Sequence, residues 1–494
     1  MYRQVLDPVG NSLFLSSLLA VIPLVTLFVL LGGLRLRAWI AALASLVVAL
    51  LVAVFVYSMP LGQAVLAGSE GAAFGLFPIM WIVLNALWIY NMTVESGHFD
   101  VLRRSFARVS DDQRIQAIII AFCFGALLEA LAGFGTPVAI TAVMLIALGF
   151  EPIKAATIGL VANTAPVAFG ALAIPIITLG KITSLPVDDL GATVGRQTPV
   201  LAVFVPLALI FIVDGRRGLR QTWPAALLCG VVFGVAQFVT SNFVSVPLAD
   251  IVAALLSALA VVGFLQVWKP REAGPASGRR TVPVVAGGAA DQPTAGFAER
   301  AQPGRSQQSD PAIEVTRAYA PYLIIIAIFV LTSIPAIKGV APATPGLSGT
   351  GLNSVTRLVN WPGLHILNAK GKPITLGVYK IDWLIAAGTL LLIAGLLTAL
   401  VLRLSPGRAL RAYGKTLDQL KWAILTVAAV LALAFVMNGS GQTATLGLWM
   451  AGAGSLFAFL SPVLGWLGVA VTGSDTSSNS LFGLLQVTAA HQAG

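Results

Sequence analysis

The sequence carries very little charge for its length. Only 10% of its 494 residues are charged, 57% are hydrophobic, and the mean hydropathy is +0.90. A soluble globular chain has about 25% charged residues, so a protein of this size could not cover a water-facing surface with so few. This scarcity excludes a soluble globular fold. It predicts an all-α polytopic protein whose surface faces the lipid bilayer.

Cysteine is also scarce, and motifs of catalysis are missing. The two cysteines, Cys123 and Cys229, lie inside apolar segments, which excludes a disulfide framework or a paired metal motif. The sequence contains no nucleophilic triad, metal-ligand cluster or phosphate-binding glycine loop, so we expect no enzyme activity, cofactor or metal. The net charge of +10 comes from short basic clusters between apolar stretches. That pattern is typical of cytoplasmic loops and argues against a nucleic-acid partner.

Apolar runs of about 20 residues predict membrane-spanning helices. The first run is too long for a signal-peptide core and lacks a small-residue cleavage site, so we interpret it as a retained helix. Basic clusters at Arg35, Arg103, Arg216 and Arg403 mark cytoplasmic loops and place the N-terminus outside. The clear candidate spans are residues 13–33, 38–57, 72–93, 192–213, 223–240, 246–268, 319–337, 381–402 and 422–438.

The remaining segments predict a chain in two membrane halves, residues 1–268 and 319–494. Residues 269–318 are rich in Pro, Gly, Ala, Ser and Arg and are expected to form a disordered cytoplasmic linker. Residues 115–150 and 448–487 are too long for one span, and each has a polar break, so we interpret both as re-entrant hairpins. Residues 155–180 would form a broken helix. Residues 338–380 would be an external loop, with a small β-hairpin at 366–379 turning at Asn368.

The two hairpin regions resemble each other at an offset of 340 residues. Gly133 falls on Gly473 and Thr136 on Thr476. The helix ending at Thr93 runs into an arginine-rich loop, whereas its counterpart beginning at Trp422 starts from one, so the two copies would be oriented oppositely. Inverted repeats with polar breaks at mid-membrane depth are typical of alternating-access transporters. The counterpart of the helix at Asn163 would fall near position 503, so we expect a second repeat that is incomplete at the C-terminus, in a truncated chain.

The breaks indicate a binding site for an anion. Backbone that leaves a helix inside the membrane exposes NH and CO groups that protein or water must satisfy. The helix that follows each break would direct free NH groups and the positive end of its dipole at the cavity. A structural kink is the alternative, since membrane helices are rich in Pro and Gly. The candidate substrate-binding residues are Gly133, Phe134, Gly135, Thr136, Asn163, Thr164, Ser474, Thr476, Ser477, Ser478 and Asn479.

Two carboxylates lie in or near the breaks. Glu129 precedes Gly133 in an apolar segment, where burial would favour its protonated form, and it is the first choice for the proton-coupling group. Asp475 could share that role, although a helix N-terminus favours the ionised form. Either carboxylate could instead be a buried hydrogen-bonding residue. Arg196 could attract the substrate or snorkel to the interface.

Three runs resemble motifs of the L-lactate permease family. They read ALLEALAGFGTPVAI from Ala126, NTAPVAFG from Asn163 and TGSDTSSN from Thr472. With the two-half layout, the resemblance covers nearly the whole chain. It implies proton-coupled symport of L-lactate, D-lactate, glycolate and related 2-hydroxy monocarboxylates in the bacterial inner membrane. It also implies an ion-transporter architecture of two inverted repeats with paired hairpins.

Other readings of the same architecture remain open. A sodium-coupled carboxylate transporter would use the carbonyls of the breaks as cation ligands. An anion channel would need no alternating access. The oligomeric state is open as well, with a homodimer as one option.

Overall fold

The chain folds, in this computed structural model, into a set of packed helices with two small strand pairs. The structure describes residues 1–107, 109, 110, 112–131, 133, 136–270 and 310–493. The helices before residue 271 are α1 (Leu13–Ala20), α2 (Ile22–Phe28), α3 (Ala38–Leu51), α4 (Leu61–Phe74), α5 (Trp81–Glu95), α6 (His98–Ala107), α7 (Gln113–Gln116), α8 (Gly125–Leu131), α9 (Thr136–Ala147), α10 (Pro152–Ala162), α11 (Gly170–Thr183), α12 (Val187–Phe243) and α13 (Ala249–Val267).

The elements after residue 309 complete the described fold. The helices are α14 (Ala312–Ser333), α15 (Pro335–Lys338), α16 (Ala387–Val401), α17 (Pro406–Ser440), α18 (Gln442–Ala451), α19 (Leu456–Thr472) and α20 (Asp475–Ala493). The strands are β1 (Tyr2–Arg3), β2 (Arg357–Asn360), β3 (Ile366–Leu367) and β4 (Val378–Ile381). Within the described residues, 8 helical runs are long and apolar enough to cross a membrane, or 9 if the bent pair α10–α11 is one span.

Several helices extend beyond the spans that the hydropathy pattern predicts. The longest, α12, joins the spans expected at 192–213 and 223–240 across a non-helical kink at Asp214 and Gly215. The span expected at 72–93 runs over Leu61–Glu95, because the small and polar residues of α4 lower the hydropathy of a segment that is nevertheless packed. The span expected at 422–438 belongs to α17, which begins at Pro406. The first turns of α17 bury Ala409, Ala412 and Thr416, and this spacing places them on one face of an amphipathic helix.

Glycine allows the central helices to approach closely. Gly71 and Gly75 of α4 face α17: a Cβ at Gly71 would overlap Leu431 O and lie 2.8 Å from Phe435 Cβ. Small residues four apart are typical of close helix contacts in membranes, where van der Waals packing replaces the hydrophobic driving force. The α4–α17 contact is therefore a fixed part of the scaffold.

The first apolar region folds back on itself as α8 and α9. A Cβ built at Gly125 of α8 would lie 3.3 Å from Thr141 Cγ2 of α9, and Gly133 between the two helices has φ +53°. Gly125 and Thr141 are separated from Gly133 by the same number of residues, as expected if α8 and α9 are antiparallel helices joined at this glycine. Phe134 and Gly135 lie outside the described residues.

The second antiparallel pair is α19 and α20, with Gly473 (φ +68°) between them. Ser478 Oγ donates to Gly465 O at 3.1 Å, and Gln486 Nε2 donates to Ser461 O at 2.8 Å. The pair lies at 456–493 rather than the expected 448–487. Residues 448–451 complete α18, and α20 continues to Ala493.

The loop expected at 338–380 contains the strands. The small hairpin predicted within 366–379 forms over its first part, where Leu367 and Pro373 make an antiparallel bridge and Ile374 N donates to Ile366 O at 3.2 Å. The flanking residues pair with other segments. Ile366 pairs with Tyr2 in the parallel β1–β3 ladder, and Tyr379 pairs with Val359 in the antiparallel β2–β4 ladder. The turn at Asn368 does form, with its Oδ1 accepting two backbone amides. The β1–β3 pairing places the N-terminus beside this loop.

The linker expected at 269–318 ends earlier than predicted, because α14 already begins at Ala312. Pro311 precedes this helix and Glu314 lies in its first turn, both favourable at a helix start. Arg104 of α6 bonds both carboxylate oxygens of Asp310, at 2.8 and 3.0 Å. Residues 271–309 lie outside the described residues.

We expect Gly71→Ala to destabilise the protein by about 1–3 kcal/mol, because the added methyl forces α4 away from α17. Gly62→Ala is the matched control on the same helix, since nothing lies within 4 Å of a Cβ built there. Thermal unfolding in detergent measures both. An unchanged unfolding midpoint for Gly71→Ala would contradict the close α4–α17 contact.

Candidate functional site

The predicted broken helix is the pair α10 and α11, bent by 64°. A 3-10 turn, Val167–Phe169, lies in the bend. Gln237 Nε2 of α12 lies 3.4 Å from Ala165 O, and Asn479 Nδ2 of α20 donates to Pro175 O at 3.0 Å. Side chains from helices that are distant in the sequence thus contact backbone carbonyl groups in the bend and after it.

The start of α11 is conformationally strained. Ala171, Leu172 and Ala173 are buried and left-handed, with φ of +44°, +56° and +60°. Each such L-residue costs about 1–2 kcal/mol, so the surrounding structure must hold it in place. A Cβ built at Gly133 would lie 3.2 Å from Ala171 Cβ. The tip of the first hairpin therefore packs directly on the strained turn, the kind of backbone that clusters at ligand sites.

Glu129 lies between the hairpin and the bend and is 5% exposed. A Cβ built at Gly170 would lie 2.5 Å from Glu129 Oε1, so only glycine leaves room for the carboxyl group. Asn163 is within hydrogen-bonding reach of the same group. Among the described residues, Glu129 Oε2 has no hydrogen-bond partner. That oxygen is available to a proton or a ligand.

The second hairpin reaches the same place. Asp475, the first residue of α20, interacts electrostatically with Glu129. Besides the Asn479 bond, α20 packs on α11 so closely that a Cβ built at Gly483 would lie 2.5 Å from Leu179 Cδ1. The structure thus brings together residues that the sequence placed in three separate motifs.

The serine-rich turn before α20 is satisfied internally. Ser474 Oγ accepts the backbone amide of Ser477 at 3.2 Å, which is N-capping of the helix. Thr472 Oγ1 donates to Gly468 O at 2.7 Å, and the Ser478 hydroxyl bonds across the hairpin. Ser474 and Ser478 therefore hold the turn in shape in this conformation.

The other candidates lie at the ends of the helices or away from the site. Thr136 is the first residue of α9, Thr476 is half-buried in the first turn of α20, and Thr164 is exposed in the bend. The structure does not bring Arg196 to this cluster. Its side chain is exposed on α12, with Nε 3.3 Å from Asn242 Oδ1.

Asp250 is a buried carboxyl group that the motif analysis missed. It is 1% exposed, and its Oδ1 accepts a bond from Gln237 Nε2 at 2.7 Å. Gln237 in turn accepts from Thr198 Oγ1 at 2.9 Å, and Asp250 interacts electrostatically with Glu129. The sequence could have identified it, because Asp250 lies within the predicted span 246–268 and an ionisable residue inside a span is a functional candidate in itself.

The arrangement is suited to holding protons. Glu129 interacts electrostatically with Asp475 and with Asp250. Carboxyl groups that lie this close together inside apolar helices are a candidate site for proton binding.

Comparison with known proteins identifies relatives along the whole chain. A family model described as L-lactate permease matches residues 16–494. The chain is 41% identical over 504 residues to the L-lactate permease of Bacillus subtilis (strain 168), covering 100% of this chain and 87% of that protein. It is 42% identical over 500 residues to glycolate permease GlcA of Escherichia coli (strain K12), covering 99% and 86%. No solved structure matches.

We expect a disulfide to form between Gly133→Cys and Ala171→Cys in a background with Cys123 and Cys229 replaced by alanine. The Cβ separation of 3.2 Å is near the lower limit of the range for disulfides, about 3.5–4.5 Å. Gly473→Cys with Ala171→Cys is the matched control, since nothing lies within 4 Å of a Cβ at Gly473. Mass spectrometry of proteolysed, oxidised protein detects the link. Equal linkage in both pairs would refute the packing of the first tip on α11.

Proposed function

Because the chain belongs to the L-lactate permease family, we propose that it transports L-lactate and related 2-hydroxy monocarboxylates, glycolate and D-lactate among them, by symport with protons. The chain is a multi-pass membrane protein, and we place it in the bacterial inner membrane. The names of its relatives support both lactate and glycolate as substrates.

The position of Glu129 is the observation that supports the proposed coupling to protons. Its carboxyl group is buried between the first hairpin and the bend, with one oxygen free of hydrogen bonds among the described residues. In the part of the chain that the structure describes, the charged groups that interact electrostatically with it are the carboxylates Asp475 and Asp250. A proton on Glu129 removes a charge that the membrane interior disfavours. Asp475 is the second candidate for this proton, and Asp250 the third.

The substrate anion would bind at the helix starts next to Glu129. α9 begins at Thr136 and α20 at Asp475, and each helix start provides backbone NH groups and the positive end of a dipole. The amide groups of Asn163 and Asn479 are the polar side chains suited to bond a carboxylate or the adjacent hydroxyl. Asn479 already bonds Pro175 O, so a substrate there would exchange partners with the backbone.

Charge balance explains why the proton and the anion would move together. An anion that enters the site beside ionised Glu129 is repelled, whereas protonated Glu129 offers a hydrogen-bond donor. The loaded site then carries no more net charge than the empty one. An uncompensated charge in the membrane is expensive, which ties accumulation of the substrate to the proton gradient.

The two hairpins support alternating access if they enter from opposite faces. The open end of the first hairpin lies beside the middle of α12, where Arg114 Nη1 donates to Asp214 Oδ2 at 3.2 Å. The arginines that follow Asp214 in the sequence, Arg216, Arg217 and Arg220, indicate the cytoplasmic face. The second follows α18, whose Thr445 Oγ1 donates to Leu6 O at 2.7 Å in the N-terminal segment. That segment is expected outside. The proposal is thus a pair of inverted repeats that meet at Glu129.

We expect Glu129→Gln to abolish lactate accumulation driven by a pH gradient in proteoliposomes. For one-to-one symport, a gradient of about one pH unit supports about tenfold accumulation, and the variant should fall to no accumulation. Counterflow of labelled lactate should persist, because exchange needs no net proton movement.

Glu151→Gln is the control, since Glu151 is exposed at the start of α10. Accumulation by Glu129→Gln at the wild-type level would refute the role of Glu129. Loss of wild-type uptake in sodium-free buffer would favour the sodium-coupled alternative. Absence of saturable counterflow would favour a channel.

A further inference from the structure

A buried ion pair lies apart from the hairpin tips. Glu70 of α4 is fully buried, and its Oε1 lies 3.9 Å from Lys181 Nζ of α11. Within the described part of the chain, neither oxygen of Glu70 has a hydrogen-bond partner. Neither residue belongs to the motifs that the sequence singled out, and the proposed function above does not use them.

The surroundings of Lys181 leave its positive charge incompletely matched. Its Nζ donates to Val378 O of β4 at 2.8 Å and lies 5.9 Å from the centroid of the Phe74 ring. Its side chain is 19% exposed, whereas that of Glu70 is 0% exposed. The ammonium group is therefore the member of the pair that an incoming ligand can reach first.

The other charges around the pair come from the loop that covers it. Lys380 interacts electrostatically with Lys181 and forms its own ion pair with Asp382 at 3.0 Å. Tyr379 donates to Phe77 O at 2.5 Å and lies within electrostatic range of Glu70. From α17, the residues that face this part of α4 are apolar, Leu431 and Phe435 among them.

The pair connects two parts of the fold. Glu70 is held next to Gly71, where α4 packs closely on α17. Lys181 is on the helix that begins at the strained turn beside Glu129 and that α20 contacts through Asn479. Any movement of α11 relative to α4 must change the distance between the two charges.

The energetics of such a pair favour exchange. Removing two charges from water costs several kcal/mol per ion, and attraction offsets this only with good geometry and further hydrogen bonds. Here the separation is at the limit of an ion pair, and Glu70 lacks the further bonds. A carboxylate ligand can take its place beside Lys181 if the charge on Glu70 is removed at the same time.

We propose that Lys181 and Glu70 form a second carboxylate site, at which the substrate's carboxylate replaces Glu70 beside the Lys181 ammonium while Glu70 takes up a proton. This inference rests on the proposed function. The charges balance: a carboxylate and an ammonium become a neutral acid and a carboxylate bound to the same ammonium. Neither the anion nor the proton can enter alone without leaving one buried charge unpaired. Because β4 belongs to the loop that the order of the membrane spans is expected to place outside, the site serves substrate arriving from that side, which then moves to the hairpin tips.

The test uses the full chain in proteoliposomes. Glu70→Gln mimics the protonated state, so it should retain lactate counterflow and lose about tenfold accumulation under a gradient of about one pH unit. Lys181→Gln removes the cation that binds the anion and should lose both. Lys181→Arg keeps the charge and should retain counterflow.

The double variant Glu70→Gln/Lys181→Gln separates binding from structure. It leaves neither member of this pair behind as an unpaired buried charge, so it should fold, and it should lose both activities. Wild-type accumulation by the double variant would overturn the proposal and make the pair structural. The matched control is Asp418→Asn/Lys421→Gln, which removes an exposed ion pair of 2.8 Å on α17 and should leave transport unchanged.

The wild type and Glu129→Gln in the same assay distinguish the two proposals. No accumulation by the wild type would end the proposed function itself. Accumulation by the wild type and by Glu70→Gln, but not by Glu129→Gln, would overturn only the second site. If the double variant does not fold, the Lys181→Arg variant tests the proposal. Loss of lactate counterflow in this variant would overturn the binding of the anion by the charge at position 181.

Discussion

Backbone polar groups inside a membrane must be satisfied by the protein itself, and the bend between α10 and α11 is where this constraint shapes the molecule. The bend leaves carbonyl groups without helical partners and three residues in a left-handed conformation. Gln237 and Asn479 contact those carbonyls from α12 and α20, and the first hairpin packs on the strained turn. The bend would be unfavourable by itself, but its unpaired carbonyl groups and strained turn are contacted by α12, α20 and the first hairpin, which therefore meet at this point.

A carboxyl group at that point gives the arrangement its chemistry. Glu129 fits against Gly170 because the missing Cβ leaves room for it. Its neighbours Asp475 and Asp250 carry the same kind of group. In the proposed function, a proton on one of these groups offsets the charge of the substrate anion, so that electrostatics would link proton binding to anion binding.

Helix α11 connects the region of Glu129 with the Glu70–Lys181 pair. Its start is next to Glu129, and near its end Lys181 faces Glu70 across the contact with α4. Among the described residues, the groups that interact with Glu129 at the tips are carboxylates, whereas Glu70 and Lys181 bring both charges together. Because both lie on α11, the proposal allows occupancy at one site to affect the other through this helix.

The sequence by itself determined the class of the protein, because scarcity of charge and the length of apolar runs act through the local environment of each residue. Glycine and proline likewise fixed the breaks at Gly133, Asn163 and Gly473, and an acidic residue in an apolar run identified Glu129. The bounds of α4 were misjudged because small residues such as Gly68 and Gly71 are buried against α17, and hydropathy does not register such packing.

Only the tertiary structure decided which of these residues meet. The contacts of Glu129 with Gly170, Gln237 with Asp250 and Glu70 with Lys181 join distant segments, as does the pairing of Tyr2 with Ile366. Such contacts depend on the packing of many helices at once, and no local pattern carries that information. The sequence therefore determined where the chain breaks and what chemistry each break offers, and the packing of the helices decided which groups share a site.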